Sequence, residues 1–362
     1  MEFIKPGINI DFIGRRKIAF AFSALMIIVT ICLLIWRGGP NYGVDFSGGV
    51  LVQIKLAQKR SPSEIKSALA SVQLEDSIVQ EFAGEGQNEY LIRIRETDVQ
   101  LDGLSDKIEK ALVSKFGNGV EMRRVELVGP KVGEDLRQKA LFAIFYAILF
   151  IAIYISGRFE LKWFMSIVMA LSLAVVVYIS SSLGVGVTWL IIIAMLVTLG
   201  LCFFLKLKYA LGAIIALMHD VFITVGAFAL TEREISLSII AAFLAIVGYS
   251  LNDTIIVFDR IRENLRRNRK RPFEETMNAS INETLSRTIL TSSTTLIVIV
   301  ALFILGGGVI HDFAFAMMVG IIVGTYSSIF VASPVLLIWE GRFRERGKDK
   351  AFFNKQFAKP RV

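Results

Sequence analysis

Eight stretches of this chain are long and apolar enough to cross a lipid bilayer, which leaves the rest of the fold little freedom. They run over residues 18–36, 139–157, 163–183, 187–205, 209–230, 237–258, 289–308 and 314–338. A spanning helix needs roughly 20 mostly apolar residues, because hydrocarbon offers unpaired backbone groups no water. Hydrophobic residues make up 54% of the chain and charged residues 20%, below the charge content of an ordinary soluble domain. The expected product is a polytopic α-helical membrane protein. The first run follows Arg15, Arg16 and Lys17 but ends in WRGGP without small-residue cleavage spacing, so it reads as a retained helix rather than a secretory signal. Cys32 and Cys202 both fall inside spans and read as apolar packing residues, not as a disulfide or metal site.

The net charge of +8 is distributed as a topology signal. With the amino terminus placed in the cytoplasm, the inner segments carry twenty-four Lys and Arg, including RRNRKR at 266–271, while the three short outer connections carry only Arg233. That asymmetry is the positive-inside rule. It puts both termini in the cytoplasm and removes the need for a nucleic-acid partner. The expected divisions are a cytoplasmic start (1–17), a first span (18–36), an extracytoplasmic domain (40–137), a bundle of seven further helices (138–340) and a basic cytoplasmic tail (341–362).

Between the first two spans the composition turns polar for about 100 residues, enough for one compact domain. VLVQIKL (50–56) alternates like a strand, and SPSEIKSALASV follows with Ser61 as cap, Pro62 in the first turn and Glu64 three residues on. DSIVQEFA (76–83) and EYLIRIR (89–95) flank GEGQN; a helical pattern covers 103–116 and EMRRVELVG closes at 121–129. The order β-α-β-β-α-β predicts an α+β ferredoxin-like domain. It holds no histidine, no cysteine and no Gly-rich loop between strand and helix, so it reads as a binding or mechanical module, with Glu81, Glu85 and Glu89 on a solvated face. Ahead of it, YGVDFSGG (42–49) reads as a tight turn from span to sheet, with Asp45, Phe46, Gly48 and Gly49 its distinctive residues.

The chemistry lies in the ionisable groups at membrane depth. A carboxylate there costs roughly 2.5–3.5 kcal/mol on insertion scales, so it persists where it meets a partner, a hydrated cavity or a proton path. Asp253, beside Asn252 in GYSLNDTIIVFDRIR, is such a group, and Arg287 at the start of the seventh span is placed to meet it. Two readings stand side by side: a proton-coupling site, with Ser292, Ser293, Thr294 and Thr295 supplying hydroxyls, or a static buried pair that fixes packing. His219 and Asp220, near the middle of the fifth span, form a second polar site whose role is a proton relay or an interhelical hydrogen bond. His311 reads as interfacial, and Gly320 with Gly324 as a small-xxx-small contact surface. No metal site and no cofactor is indicated.

YGVDFSGG, VELVGPKVG (125–133), YALGAIIALMHDV (209–221), GYSLNDTIIVFDRIREN (248–264) and SRTILTSSTTL (286–296), in this order along almost the whole chain, resemble the SecF family of protein-export membrane proteins. The resemblance implies an RND-type transmembrane bundle and a non-enzymatic role. The implied partners are a SecD-like subunit, the SecYEG translocon with YajC, unfolded exported polypeptide and membrane lipids, in a bacterial cytoplasmic (inner) membrane. It also implies use of the proton motive force to complete export, with Asp253 matching the family's intramembrane aspartate and Arg287 its arginine. The chain departs from the pattern by about 48 residues near 161–208, which read as two added helices without a proton site of their own. An RND-type proton-coupled exporter of small molecules and a purely structural translocon scaffold are the competing readings.

Overall fold

The computed structural model describes residues 8–74, 77–81, 88–94, 103–117, 119–160, 163–268 and 270–341. Glu85, the GEGQN turn up to Gln87, Lys162 and the basic tail beyond Gly341 lie outside the described residues.

Among the described residues seven helices are long and apolar enough to span a membrane. These are α1 (Arg16–Trp36), α5 (Pro130–Glu160), α6 (Trp163–Ser182), α8 (Lys208–Leu230), α9 (Leu237–Arg267), α10 (Phe273–Leu305) and α11 (Gly308–Ser327). The helical path of α11 continues through a π-turn, Ser328–Ala332, to Gly341. The eighth expected span, α7 (Val187–Phe204), is helical over 18 residues, about 27 Å at 1.5 Å per residue, just under the hydrocarbon thickness. α8, α9 and α11 form the buried centre of the bundle, while α1 and α6 stay largely on its surface. α6 and α7 pack on α5, contributing Met169, Leu173, Ala194 and Cys202 to one apolar core with Phe145, Ile148 and Ile155. Both cysteines are free, Cys32 exposed and Cys202 buried.

The sheet domain contains β1 (Gly49–Leu56), α3 (Pro62–Leu69), β2 (Ile78–Glu81), β3 (Glu89–Ile94), α4 (Leu104–Phe116) and β4 (Val120–Val128). The strand order β2-β3-β1-β4, antiparallel throughout, is the connectivity of a split βαβ fold. Val50, Val52, Ile54 and Leu56 alternate onto one face of β1, where Ile65, Leu69, Ile108 and Leu112 of the two helices cover them. Full burial of each such side chain stabilises the domain by about 1.5–3 kcal/mol. Ser61 caps α3 by accepting from the Glu64 amide, so the local helix-start signal is realised as hydrogen bonding.

The domain is fastened to the bundle through the turn at residues 42–49 and the loop at 231–236. Val44–Ser47 form a single helical turn, α2. Gly48 follows at φ +73°, where a Cβ would sit 2.8 Å from the Pro130 Cα, so only glycine fits between the sheet and the first turn of α5. Phe46 is buried against Phe243 and Ile239 of α9. The Gly43 amide donates to the Ile235 carbonyl at 2.9 Å, the Ile235 amide to the Asn41 carbonyl at 2.8 Å, and Arg93 of β3 pairs with Glu234. Asp45 accepts from the Leu237 amide at 2.8 Å, satisfying a donor at the start of α9 that its own sequence leaves open. At the other end of the bundle, Asn278 and Asn282 on α10 grip the backbone of Ile10 and Phe12, fixing the chain ahead of α1.

Two stability outcomes follow. A Cβ at Gly320 overlaps the side chain of Ile246 on α9, so Gly320→Leu is expected to lower stability by about 1–3 kcal/mol, read as a lower thermal midpoint in detergent. Gly248→Ala, which meets open space, serves as the neutral control, and equal midpoints for the two variants contradict the close α9–α11 approach. Asp45→Ala is expected to cost about 1 kcal/mol, with Asp45→Asn retaining most of it, as cap removal does elsewhere; hydrogen exchange at the first turn of α9 that is unchanged in Asp45→Ala rules the capping role out.

Candidate intramembrane charge site

Asp253 sits 16 residues into α9, about 24 Å from its first residue. Ser250, one turn earlier, shares its face, and that face turns into the bundle, leaving Ser250 and Asp253 buried at 1% and 0% exposure. Asn252, rotated about 100° away, is exposed. Gly324 on α11 lies against Ser250, where a Cβ would come 2.9 Å from the serine Cβ, so α9 and α11 meet closely at the depth of these polar groups.

The Asp253 carboxylate accepts one hydrogen bond, from Ser292 Oγ of α10 at 3.3 Å on Oδ2. Ser292 in turn shares a 2.7 Å hydrogen bond with Thr325 Oγ1 of α11. Oδ1 is buried and has no partner among the described residues. Of the four hydroxyls that the sequence offers on α10, Ser292 alone reaches the carboxylate. Thr294 and Thr295 bond back to the carbonyls of Leu290 and Thr291, and Ser293 is exposed.

Arg287 is not paired with Asp253: no hydrogen bond or ion pair joins them among the described residues. Helix geometry gives the reason. Ser292 and Arg287 are five residues apart, which turns them about 140° from each other around α10, so a helix that points Ser292 inward points Arg287 outward. Arg287 is exposed and lines a groove of about 460 Å3 with Arg158, Asn252, Asp259, Arg260, Glu263, Glu283 and Thr284, Ile255 and Ile256 forming its apolar part. Arg158 of α5 pairs with Asp259 of α9 at 2.7 Å, and Arg260 with Glu263 along α9 at 3.0 Å. The groove therefore carries polar groups from one end of the bundle to the residue beside Asp253.

The second polar pair is fully organised. His219 and Asp220 of α8 are both buried, with His219 Nδ1 2.9 Å from Asp220 Oδ1. Asp220 Oδ2 accepts from Ser250 Oγ at 2.5 Å and from Ser327 Oγ at 2.8 Å. His219 Nε2 lies 3.1 Å from Ser23 Oγ of α1, and Ser23 lies 3.1 Å from the Tyr326 hydroxyl. Ser23, Ser250, Thr325, Tyr326 and Ser327 carry no signal in the sequence, since hydroxyl residues are ordinary in apolar helices. The π-turn Ser328–Ala332 follows directly on Thr325, Tyr326 and Ser327, and such bulges recur at functional sites. Ser250 contacts Asp220 while Asp253, a turn away, contacts Ser292, so the two carboxylates share α9 and α11.

The remaining sequence-marked groups serve structure. His311 Nδ1 lies 2.7 Å from the Phe303 carbonyl where α10 turns into α11, and Arg233, from the connection between α8 and α9, pairs with Asp312 of α11. Asp45, Phe46, Gly48 and Gly49 belong to the fastening turn; burial pushes the pKa of the neighbouring Tyr42 phenol up, with the Arg137 guanidinium pulling it down. No group of three or more His, Cys, Asp or Glu side chains is arranged to hold a metal ion among the described residues.

Comparison with known proteins gives a family. The model of the C-terminal region of the SecD/SecF protein export membrane proteins matches residues 108–204 and 185–342, the two matches overlapping on α7. That of the SecD/SecF GG motif matches residues 34–59, which include Asp45, Phe46, Gly48 and Gly49. The protein translocase subunit SecF of Calditerrivibrio nitroreducens is 39% identical over 342 residues, covering 93% of this chain and 96% of its own. The SecF of Thermodesulfovibrio yellowstonii is 41% identical over 335 residues, 91% of this chain and 94% of its own. Among solved structures, SecDF of Thermus thermophilus, described as a translocon-associated membrane protein, superposes with a TM-score of 0.68 at 30% identity. The match covers 92% of this chain and 39% of that one, so this chain spans about two fifths of SecDF. On these matches, and on the bundle and sheet described above, the chain belongs to the SecF family of protein translocase subunits.

Proposed function

We propose that the protein is the SecF half of a proton-driven accessory motor of the Sec translocase. It works with a SecD-like partner beside the SecYEG translocon and YajC, in the bacterial inner membrane among its lipids, to complete export of unfolded polypeptide. Both termini lie in the cytoplasm and the sheet domain lies outside, where it meets the emerging chain. The observation that carries this reading is the state of Asp253: a fully buried carboxylate with one long hydrogen bond and one unmet oxygen, beside a polar groove that reaches the bundle end. A buried carboxylate left in this condition is costly unless a proton or another charge arrives to complete it. Such a site is suited to loading and unloading.

Arg287 and Asn252 support a two-part machine. Both line the groove that reaches the bundle end, and the surface next to it carries exposed apolar Ile289 and Leu290. A SecD-like half covering this strip would shelter them and supply the rest of a structure of which this chain spans about two fifths. Arg287 then approaches Asp253 in one conformation and leaves it in another, as charge compensation requires. A static scaffold has less support, because the pair that it would rest on is open.

A membrane potential of 100 mV contributes roughly 2.3 kcal/mol per charge, about a fiftyfold bias on a two-state motion. The sheet domain is bonded to the start of α9 through Asp45 and residues 231–236, so a shift of α9 on protonation of Asp253 is delivered to the domain that meets polypeptide.

The test is export into vesicles holding the translocon and the two-subunit complex. Asp253→Asn is expected to insert and to copurify with its partner as wild type does, yet to lose the stimulation that a proton gradient gives to late translocation, matching wild type with uncoupler. Full stimulation in Asp253→Asn refutes the proposal. Arg287→Leu is expected to give the same loss with the complex intact; a normal gradient response in that variant removes Arg287 from the cycle. Stimulation that survives a proton uncoupler but collapses with a sodium ionophore replaces the proton by sodium.

A further inference from the structure

The hydrogen bonds around His219 have a fixed direction, and the direction starts at a backbone carbonyl. The Tyr326 hydroxyl donates to the Ala19 carbonyl at 2.8 Å, which uses its only hydrogen. Its contact with Ser23 at 3.1 Å therefore requires Ser23 to be the donor, and that spends the serine hydrogen. The contact between Ser23 and His219 Nε2 at 3.1 Å then requires an N–H on Nε2. On the far side of the ring, Asp220 Oδ2 already receives Ser250 and Ser327, and Nδ1 faces Oδ1 at 2.9 Å, a contact that needs one hydrogen held by either atom. With every bond made, the pair holds one hydrogen on Nε2 and one between Nδ1 and Oδ1, and is neutral overall.

Removing the Nε2 hydrogen leaves only one way to keep Nε2 bonded. Ser23 must turn its hydroxyl toward the ring, and it then has nothing to give Tyr326. Ser23 belongs to α1 and Tyr326 to α11, so the proton on His219 and the hydrogen bond between these two helices stand or fall together. We propose that His219, held by Asp220, is a second proton-carrying group of the bundle, whose Nε2 proton closes the α1–α11 contact through Ser23 and Tyr326 and whose loss opens it.

The surroundings suit the role. The imidazole lies against the Tyr326 ring, centroids 6.1 Å apart and planes 23° apart, so α11 senses the ring directly. The groups that face the pair are Ser23 from α1, Ser250 and, a turn further, Asp253 from α9, and Tyr326 and Ser327 from α11. α5 brings Phe145, Ile148, Ala152 and Ile155 to the same bundle core, α7 brings Cys202 near the start of α8, and the π-turn brings Ser328. α1 packs along α8, with Thr30 against Gly226, and meets α11 where Phe22 and Ser23 reach Tyr326. Because α9 and α11 also carry the Asp253 cluster, the two proton sites act on the same helix pair.

Nitrogen NMR resolves this. The chain has two histidines, so in the full chain bound to its partner and labelled with 15N-histidine, the signals missing from His219→Gln identify the site. Nε2 is expected to carry hydrogen in the resting complex and to lose it in a single step as pH is raised. Tyr326→Phe keeps the ring packing but frees Ser23 to donate to Nε2 at no cost, so the step is expected to move to lower pH by about one unit, the equivalent of one hydrogen bond. Asp220→Asn, whose amide supplies a fixed hydrogen to Nδ1, is expected to abolish the step. An Nε2 without hydrogen in the resting complex, or a step unmoved by Tyr326→Phe, overturns the proposal. Asp253→Asn is expected to leave the step in place, so loss of gradient-driven export in that variant and behaviour of His219 are read independently.

Discussion

The cost of keeping charge inside hydrocarbon governs this bundle. Two carboxylates, Asp220 and Asp253, are fully buried between helices whose outer faces are apolar, and each persists only through what neighbouring helices bring to it. Asp220 is completely provided for by His219, Ser250 and Ser327. Asp253 receives one serine hydroxyl and retains one unmet oxygen. The same backbone approach serves both, since Gly320 and Gly324 let α11 lie close enough to α9 for serine and threonine side chains to bridge them. Without those glycines the polar groups would be separated from their partners.

Movement at this depth has a direct route to the sheet domain. α9 begins at Leu237 with its first donor held by Asp45, and the loop ahead of it is bonded to the chain entering the sheet and paired with Arg93 of β3. The Gly48 turn is pressed against Pro130, so α5 starts from the same junction. One rigid fastening therefore joins the sheet to two long helices. The GG motif, which reads as a simple turn in the sequence, is a mechanical joint in the folded chain.

Where the sequence was readable, a strong physical penalty made it so. Apolar runs mark spans because backbone groups in lipid need internal partners, and alternation marks β1 because one face is dry. Asp253 was visible because a carboxylate in such a run is expensive. The charged extensions of α9 to Arg267 and of α10 back to Phe273 were hidden, since hydropathy falls there while the helix continues. Side-chain facing was equally hidden. Rotation about α10 gives the hydrogen-bonding place beside Asp253 to Ser292, and Arg287 reaches the carboxylate through its charge alone. The α1–α8–α11 network joins Ser23 to Tyr326 across more than 300 residues of sequence, and no local pattern announces such a partnership.

The central claim is that Asp253 binds and releases a proton as the machine works, and infrared difference spectroscopy of the two-subunit complex under a pH step examines that group itself. The account predicts a protonated-carboxyl stretching band that changes with pH, is absent in Asp253→Asn and persists in Asp220→Asn. A spectrum in which Asp253→Asn removes no band leaves the carboxylate permanently in one state and contradicts the account.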